Sequence, residues 1–166
     1  AASVPMRALL FYDVRHTRDS DWDETRLADR LIDIRQGQWW RLVTPIFLHG
    51  GWLHILPNMI MFFLFARPIE MRKGAGALAL MILLIALASN AAQGLAPSTW
   101  GPLSGGPSFL GISGVVYGLM GYLWMKTVYD PGSGLYVNPG TVVFLLGWMT
   151  LGLTGVFQDT MPMANL

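Results

Sequence analysis

The chain has 166 residues, 53% of them hydrophobic and only 13% charged, with a mean hydropathy of +0.45. A soluble domain carries about 25% charge, so this composition argues against a water-soluble globular enzyme and still more against disorder. A net charge of +1 offers nucleic acid no basic field, and with no cysteine there is no disulfide framework, thiolate nucleophile or Cys-ligated metal.

The charges are crowded at one end. Residues 1–41 hold 14 of the 21, Arg7, Arg15, Arg18, Arg26, Arg30, Arg35 and Arg41 against Asp13, Asp19, Asp21, Asp23, Glu24, Asp29 and Asp33. Residues 8–12 form the longest apolar run of this head, too short for the core of a secretory signal. Leu27, Leu31 and Ile34 recur at helical spacing, with Asp29, Arg30 and Asp33 on other faces. That pattern fits a short helix lying on a membrane surface, or one packed on the protein's own loops. Trp39 and Trp40 suit the headgroup level.

A nearly uncharged body follows, with four apolar stretches of spanning length near 53–68, 75–96, 113–129 and 140–157. Any one alone could be the buried helix of a soluble domain. Four together, with seven charges in the remaining 125 residues, need lipid around them. The expected architecture is an all-α, polytopic membrane bundle: an outer-side polar loop over 1–52 with interfacial helices, then a transmembrane core over 53–166.

The first stretch opens with His49-Gly50-Gly51-Trp52-Leu53-His54-Ile55-Leu56-Pro57-Asn58. His54 and Asn58 are four apart, so a helix puts them on one face. Pro57 is tolerable if the helix begins near residue 53. Polar side chains in hydrocarbon are expensive and usually functional, the alternative being hydrogen bonding between helices. The 67–74 link carries Arg67, Arg72 and Lys73 against Glu70, whereas the 97–112 link has no charge. The positive-inside tendency puts 67–74 in the cytoplasm and 97–112 on the outer side, with both chain ends outside. His54 and Asn58 then lie near the outer surface.

Gly111-Ile112-Ser113-Gly114 enters the third stretch from a Gly- and Pro-rich loop. A serine at a loop-to-helix junction has its own N–H unsatisfied. A carbonyl oxygen there gains that donor and the positive helix end, and flanking glycines let a backbone come close. A plain N-cap serine is the alternative. Gly114, Gly118 and Gly121 recur at spacings of four and three, which lets a neighbouring helix approach. Tyr117 lies one turn below Ser113 on the same face.

Taken together, Trp40-Arg41, His54-x-x-x-Asn58, Glu70-x-Arg72-x-Gly74, Gly111-x-Ser113-Gly114-Val115-Val116-Tyr117 and Gly121-Tyr122 resemble the rhomboid intramembrane serine proteases. The resemblance covers about residues 40–165. It implies a six-helix membrane core, of which these residues hold the middle four helices. It implies Ser113 as nucleophile, with an oxyanion hole of His54, Asn58 and the Ser113 backbone N–H. Gly111, Gly114, Tyr117 and Gly118 would support that site, while Trp40, Arg41, Glu70 and Arg72 hold loops and helix ends. Substrates would be single-span membrane proteins, cut near the outer surface of the bacterial cell (inner) membrane. Partners are those substrates and the lipid bilayer. No cofactor, metal or nucleic acid is implied.

The family's general base is a histidine on the last helix, stacked on the tyrosine matching Tyr117. Here the three histidines are His16, His49 and His54, all before Ser113. The base is expected beyond residue 166, after the run Met163-Ala164-Asn165, with the 166 residues an excerpt that is inactive on its own. The alternative is a catalytically inactive rhomboid-like protein that binds membrane helices. A small transporter or channel lined by His54 and Asn58 is disfavoured, because the four stretches hold no carboxylate to act as a relay. By analogy with the family, residues 151–163 would form the outer cap through which substrates enter.

Overall fold

The computed structural model describes residues 8–13, 31–96 and 110–153. Among them all regular structure is helical, with no strand. In chain order come α1 (Ile32–Arg35), 3-10 turns at Trp39–Leu42 and Thr44–Phe47, α2 (Trp52–Lys73), α3 (Ala75–Leu95), α4 (Ser113–Tyr129), a 3-10 turn at Pro131–Ser133, and α5 (Pro139–Leu153). Leu27, most of the 97–112 link and the 154–163 part of the expected cap lie outside the described residues, as do His16 and Met163-Ala164-Asn165.

The helix ends follow from local chemistry. Gly51, just before α2, has φ +139°, a conformation closed to most side chains. Its carbonyl accepts from both His54 N–H (3.1 Å) and Ile55 N–H (2.9 Å). Gly74, at φ +85°, is the single residue between α2 and α3; its N–H closes α2 on the Glu70 carbonyl at 2.7 Å, and its carbonyl accepts from Leu78 at 3.2 Å. Arg72 and Lys73 sit in the last turn of α2, where cations suit the negative helix end. At the start of α5, the Asn138 side-chain oxygen accepts from Gly140 N–H at 2.8 Å, and Pro139 stands first in the helix.

Among the described residues, α3 is the one helix long and apolar enough to cross a membrane, with 21 residues and a mean hydropathy of 2.1. A span takes about 20 residues. At 17 and 15 residues, α4 and α5 are shorter. The 22-residue α2 is long enough but carries His54, Asn58, Arg67, Glu70, Arg72 and Lys73.

Helix α4 is the hub, packing against α2, α3 and α5, while α2 and α3 also touch. Its buried Val115, Val116, Leu119, Met120 and Leu123 meet Phe65, Ala66 and Ile69 of α2, Leu78 and Ala86 of α3, and Val142 and Leu145 of α5 in one core. The outward faces are also apolar. Leu56, Ile60, Phe63 and Leu64 of α2, Leu80, Leu83 and Leu84 of α3, and Val143, Phe144 and Trp148 of α5 are all exposed.

A polar clasp ties residues 8–13 to this bundle. Buried Arg41 donates from Nη1 to the Leu10 carbonyl (2.8 Å) and from Nε to Gln38 Oε1 (2.9 Å), with Asp33 Oδ2 3.9 Å from Nε. Asp33 Oδ2 in turn accepts from Asp13 N–H at 2.7 Å. Trp40 Nε1 donates to the Ala8 carbonyl at 3.2 Å, and Thr44 Oγ1 to the Leu9 carbonyl at 2.8 Å. Asn90 of α3 donates to the Leu42 carbonyl at 2.8 Å, so the turns are fixed to the helices as well.

Candidate active site

Pro45 and His54, both more than fifty residues away in the chain, meet the Gly111–Ser113 segment at Gly111. Its φ is +116°, and its N–H donates to the Pro45 carbonyl at 3.0 Å. A Cβ placed there would lie 2.8 Å from His54 Cε1, 3.0 Å from His54 Nε2 and 3.8 Å from Ser113 Oγ. The imidazole thus closes on Gly111 beside the Ser113 hydroxyl, leaving a gap too narrow for even a methyl group at residue 111.

Ser113 is the first residue of α4. Its N–H has no acceptor within the helix and belongs to the positive helix end. The first intrahelical bond of the turn runs from Val116 N–H to the Ile112 carbonyl at 3.0 Å. Ser113 is half-buried at this junction.

His54 stands in the first turn of α2. Its Nδ1 accepts from Gly50 N–H at 3.4 Å. A neutral imidazole has one donor and one acceptor nitrogen, so an accepting Nδ1 puts the proton on Nε2. That nitrogen is the one beside Gly111. Asn58, one turn further on, donates from Nδ2 to the His54 carbonyl at 2.9 Å. An amide carries two N–H donors, and this bond uses one.

Below the gap, α3 crosses α4 at close range. A Cβ on Gly114 would meet Ser89 Oγ at 2.7 Å and Ser89 Cβ at 2.8 Å; one on Gly118 would strike Ile85, with Cδ1 at 3.0 Å. Positions 85 and 89 are a turn apart, as are 114 and 118, so two turns of each helix interlock. Nothing lies within 4 Å of a Cβ on Gly121. The third member of the glycine series therefore makes no such approach. Tyr117 sends its hydroxyl to the Leu145 carbonyl of α5 at 2.9 Å, linking the site's helix to the next.

The other singled-out residues stand apart from the gap. Arg41 and Trp40 hold the clasp described above. Glu70 is exposed near the end of α2. Arg72 lays its guanidinium on Gly134, whose φ is +68° and whose Cβ position it occupies. From His54 to Arg72 is ~27 Å along α2 at 1.5 Å per residue.

Sequence reasoning passed over Pro45 and Gly50. Both act through backbone groups, a carbonyl holding Gly111 and an N–H holding His54, and backbone groups leave no side-chain signature. It also passed over the position of His49, whose ring stands edge-on to His54 with centroids 5.3 Å apart. A histidine directly before Gly50-Gly51 and a helix start was the available signal.

Chemically, the arrangement brings a hydroxyl and an imidazole together over Gly111 at a helix start, with a carboxamide one turn further along α2. Such a cluster suits attack on a carbonyl whose oxygen turns negative.

Residues 36–166 match the Rhomboid domain family model. The chain is similar to the "Rhomboid protease GlpG homolog" of Cronobacter sakazakii, 36% identical over 129 residues, covering 78% of this chain and 44% of the relative. It is similar to the "Rhomboid protease GlpG" of Salmonella newport, 38% identical over 126 residues, covering 76% of this chain and 42% of the relative. The protein of the same name from Salmonella typhi gives the same figures, 38% over 126 residues. The chain thus spans less than half the length of these curated relatives. With most of its residues inside the domain match and the gap at Gly111 built from the motifs that suggested it, this chain belongs to the rhomboid family.

Proposed function

We propose that these residues are the catalytic heart of an intramembrane serine endopeptidase that cleaves single-span membrane proteins near the outer surface of the cell (inner) membrane. The observation that carries this reading is the convergence of the Ser113 hydroxyl and His54 Nε2 on one point above Gly111, at 3.8 and 3.0 Å. Ser113 Oγ attacks the scissile carbonyl carbon. The carbonyl oxygen becomes an oxyanion and accepts from Ser113 N–H, His54 Nε2–H and the second N–H of Asn58. The Oγ proton passes to a histidine base C-terminal to residue 166, forming a Ser–His dyad. His54 is not that base, because its Nε2 already holds a proton while Nδ1 accepts from Gly50.

In this reading α2, α3, α4 and α5 all cross the bilayer. Their outward apolar faces support it, since a contiguous apolar exterior of this extent fits lipid better than water. The end of α2 with Arg67, Arg72 and Lys73, which the 67–74 link expected from the sequence turns out to be, lies in the cytoplasm and the Ser113 end of α4 toward the outside. Hydrolysis needs water, so a site at the outward end of its helices suits the chemistry. No metal or cofactor takes part in the steps assigned here.

The test is a serine-reactive fluorophosphonate or chloroisocoumarin probe applied to the full-length natural protein in detergent. Labelling is expected at Ser113 and should vanish in Ser113→Ala. A folded, full-length sample that takes no label overturns the protease reading and favours a membrane-helix binding protein.

A further inference from the structure

We infer that His49 is a positioning residue, a fixed aromatic wall that holds the His54 imidazole with Nε2 turned to the gap above Gly111. The inference rests on the proposed role of His54 as an oxyanion donor and assigns the element that aims it.

The His49 ring meets the His54 ring edge to face, with an interplanar angle of 61° and centroids 5.3 Å apart. A ring pair at this distance and tilt is a favourable contact. His49 is itself held. Its Nε2 is buried with no hydrogen-bond partner among the described residues, and the Phe47 carbonyl lies on the side of the ring where it favours a proton. Phe47 closes the Thr44–Phe47 turn, whose Pro45 carbonyl holds Gly111 at 3.0 Å. The same short turn therefore holds Gly111 directly and leads in two residues to His49, whose ring meets His54.

The wall has work to do because the other restraint on His54 is long. Gly50 N–H reaches Nδ1 at 3.4 Å, near the limit for such a bond. A ring held by that bond alone would turn about its Cβ–Cγ axis, since this terminal torsion is broad. A half-turn would carry Nε2 away from Gly111. With His49 against one side, rotation is blocked and the Nε2–H donor stays aimed. Donors fixed before reaction are worth far more than donors that must reorganise.

Three readouts of the full-length protein test this. Nitrogen-15 spectra of the imidazoles should show His54 as the single Nε2–H tautomer in wild type, and a mixture in His49→Ala. Turnover of a transmembrane substrate should fall about tenfold to a hundredfold in His49→Ala with KM little changed, the usual scale for a misplaced catalytic group. His49→Phe, which keeps a flat ring edge, should restore most of the turnover and the single tautomer. The proposal is overturned if wild-type His54 carries its proton on Nδ1, or if His49→Ala leaves tautomer and turnover unchanged. It is overturned as well if His49→Phe behaves as His49→Ala while remaining folded. Should His49→Ala not fold, the wild-type tautomer and the His49→Phe variant still decide. Failure of the protease reading looks different: Ser113 takes no probe in wild type, whatever the state of the His54 ring.

Discussion

The two ends of α4 are packed differently. At the Ser113 end, Gly114 and Gly118 are pressed against Ser89 and Ile85 of α3. Further along, Gly121 faces open space, and Trp124, Met125, Val128 and Tyr129 are exposed. A glycine brings helices together only where a partner crosses at its height. The crossing point coincides with the end that holds the serine, so the tight part of the bundle is the part that positions the candidate chemistry.

Filling the crossing should break this contrast most severely. Gly118→Leu drives a branched side chain into Ile85, and overpacking costs about 1–3 kcal/mol or more. Turnover by the full-length protein should be abolished, with a lowered unfolding midpoint in mixed micelles; wild-type turnover would refute the close-packing argument. Next in size is Asn58→Ala. It should lower kcat about 10²–10³-fold, the usual loss for one oxyanion donor, with membrane insertion and yield unchanged. A matching loss of folded protein would reduce Asn58 to its bond with the His54 carbonyl.

Gly111→Ala tests the gap itself. The new methyl meets His54 at 2.8 Å and forces a non-glycine residue to φ +116°, a strain of about 1–3 kcal/mol. Turnover should drop at least about tenfold, and the Ser113 probe should label more slowly. A smaller effect comes from pH. Burial lowers the His49 pKa below its ordinary 6.5, with the Phe47 carbonyl pulling the other way. Between the lowered folded value and 6.5 the unfolded chain binds more protons, so native stability declines as pH falls below 6.5 and is unaffected by this group above it. His49→Phe should make that acid-side decline shallower in unfolding titrations. Smallest of all, Gly121→Ala should change stability by no more than about 0.5 kcal/mol, leaving the loose end of α4 as it was.

Much of the site was legible because its signals are local. His54 and Asn58 share a helix face by spacing, and Ser113 stands at a junction that its glycines mark. Gly114 and Gly118 could be read as a contact stripe, but not which helix fills it, and Gly121 had the same signature without the contact. What spacing fails to show is who lies opposite. Arg41 reaching the Leu10 carbonyl, Tyr117 reaching the Leu145 carbonyl and Arg72 covering Gly134 all depend on tertiary geometry. The hydropathy of α2 is weak for a local reason. Its polar residues sit at both ends, His54 and Asn58 in the first two turns and Glu70, Arg72 and Lys73 at the far turn, so its apolar middle is shorter than the helix.

Helix α2 also contains Pro57 and Pro68. Neither supplies an amide hydrogen, so the carbonyls of Leu53 and Leu64 lack their i+4 partner. Two rungs are missing from an otherwise continuous ladder, one beside the histidine and one near the cationic terminus. Helices bend most readily where such rungs are absent. Any curvature of α2 therefore costs least at these two turns and most in the apolar stretch between them.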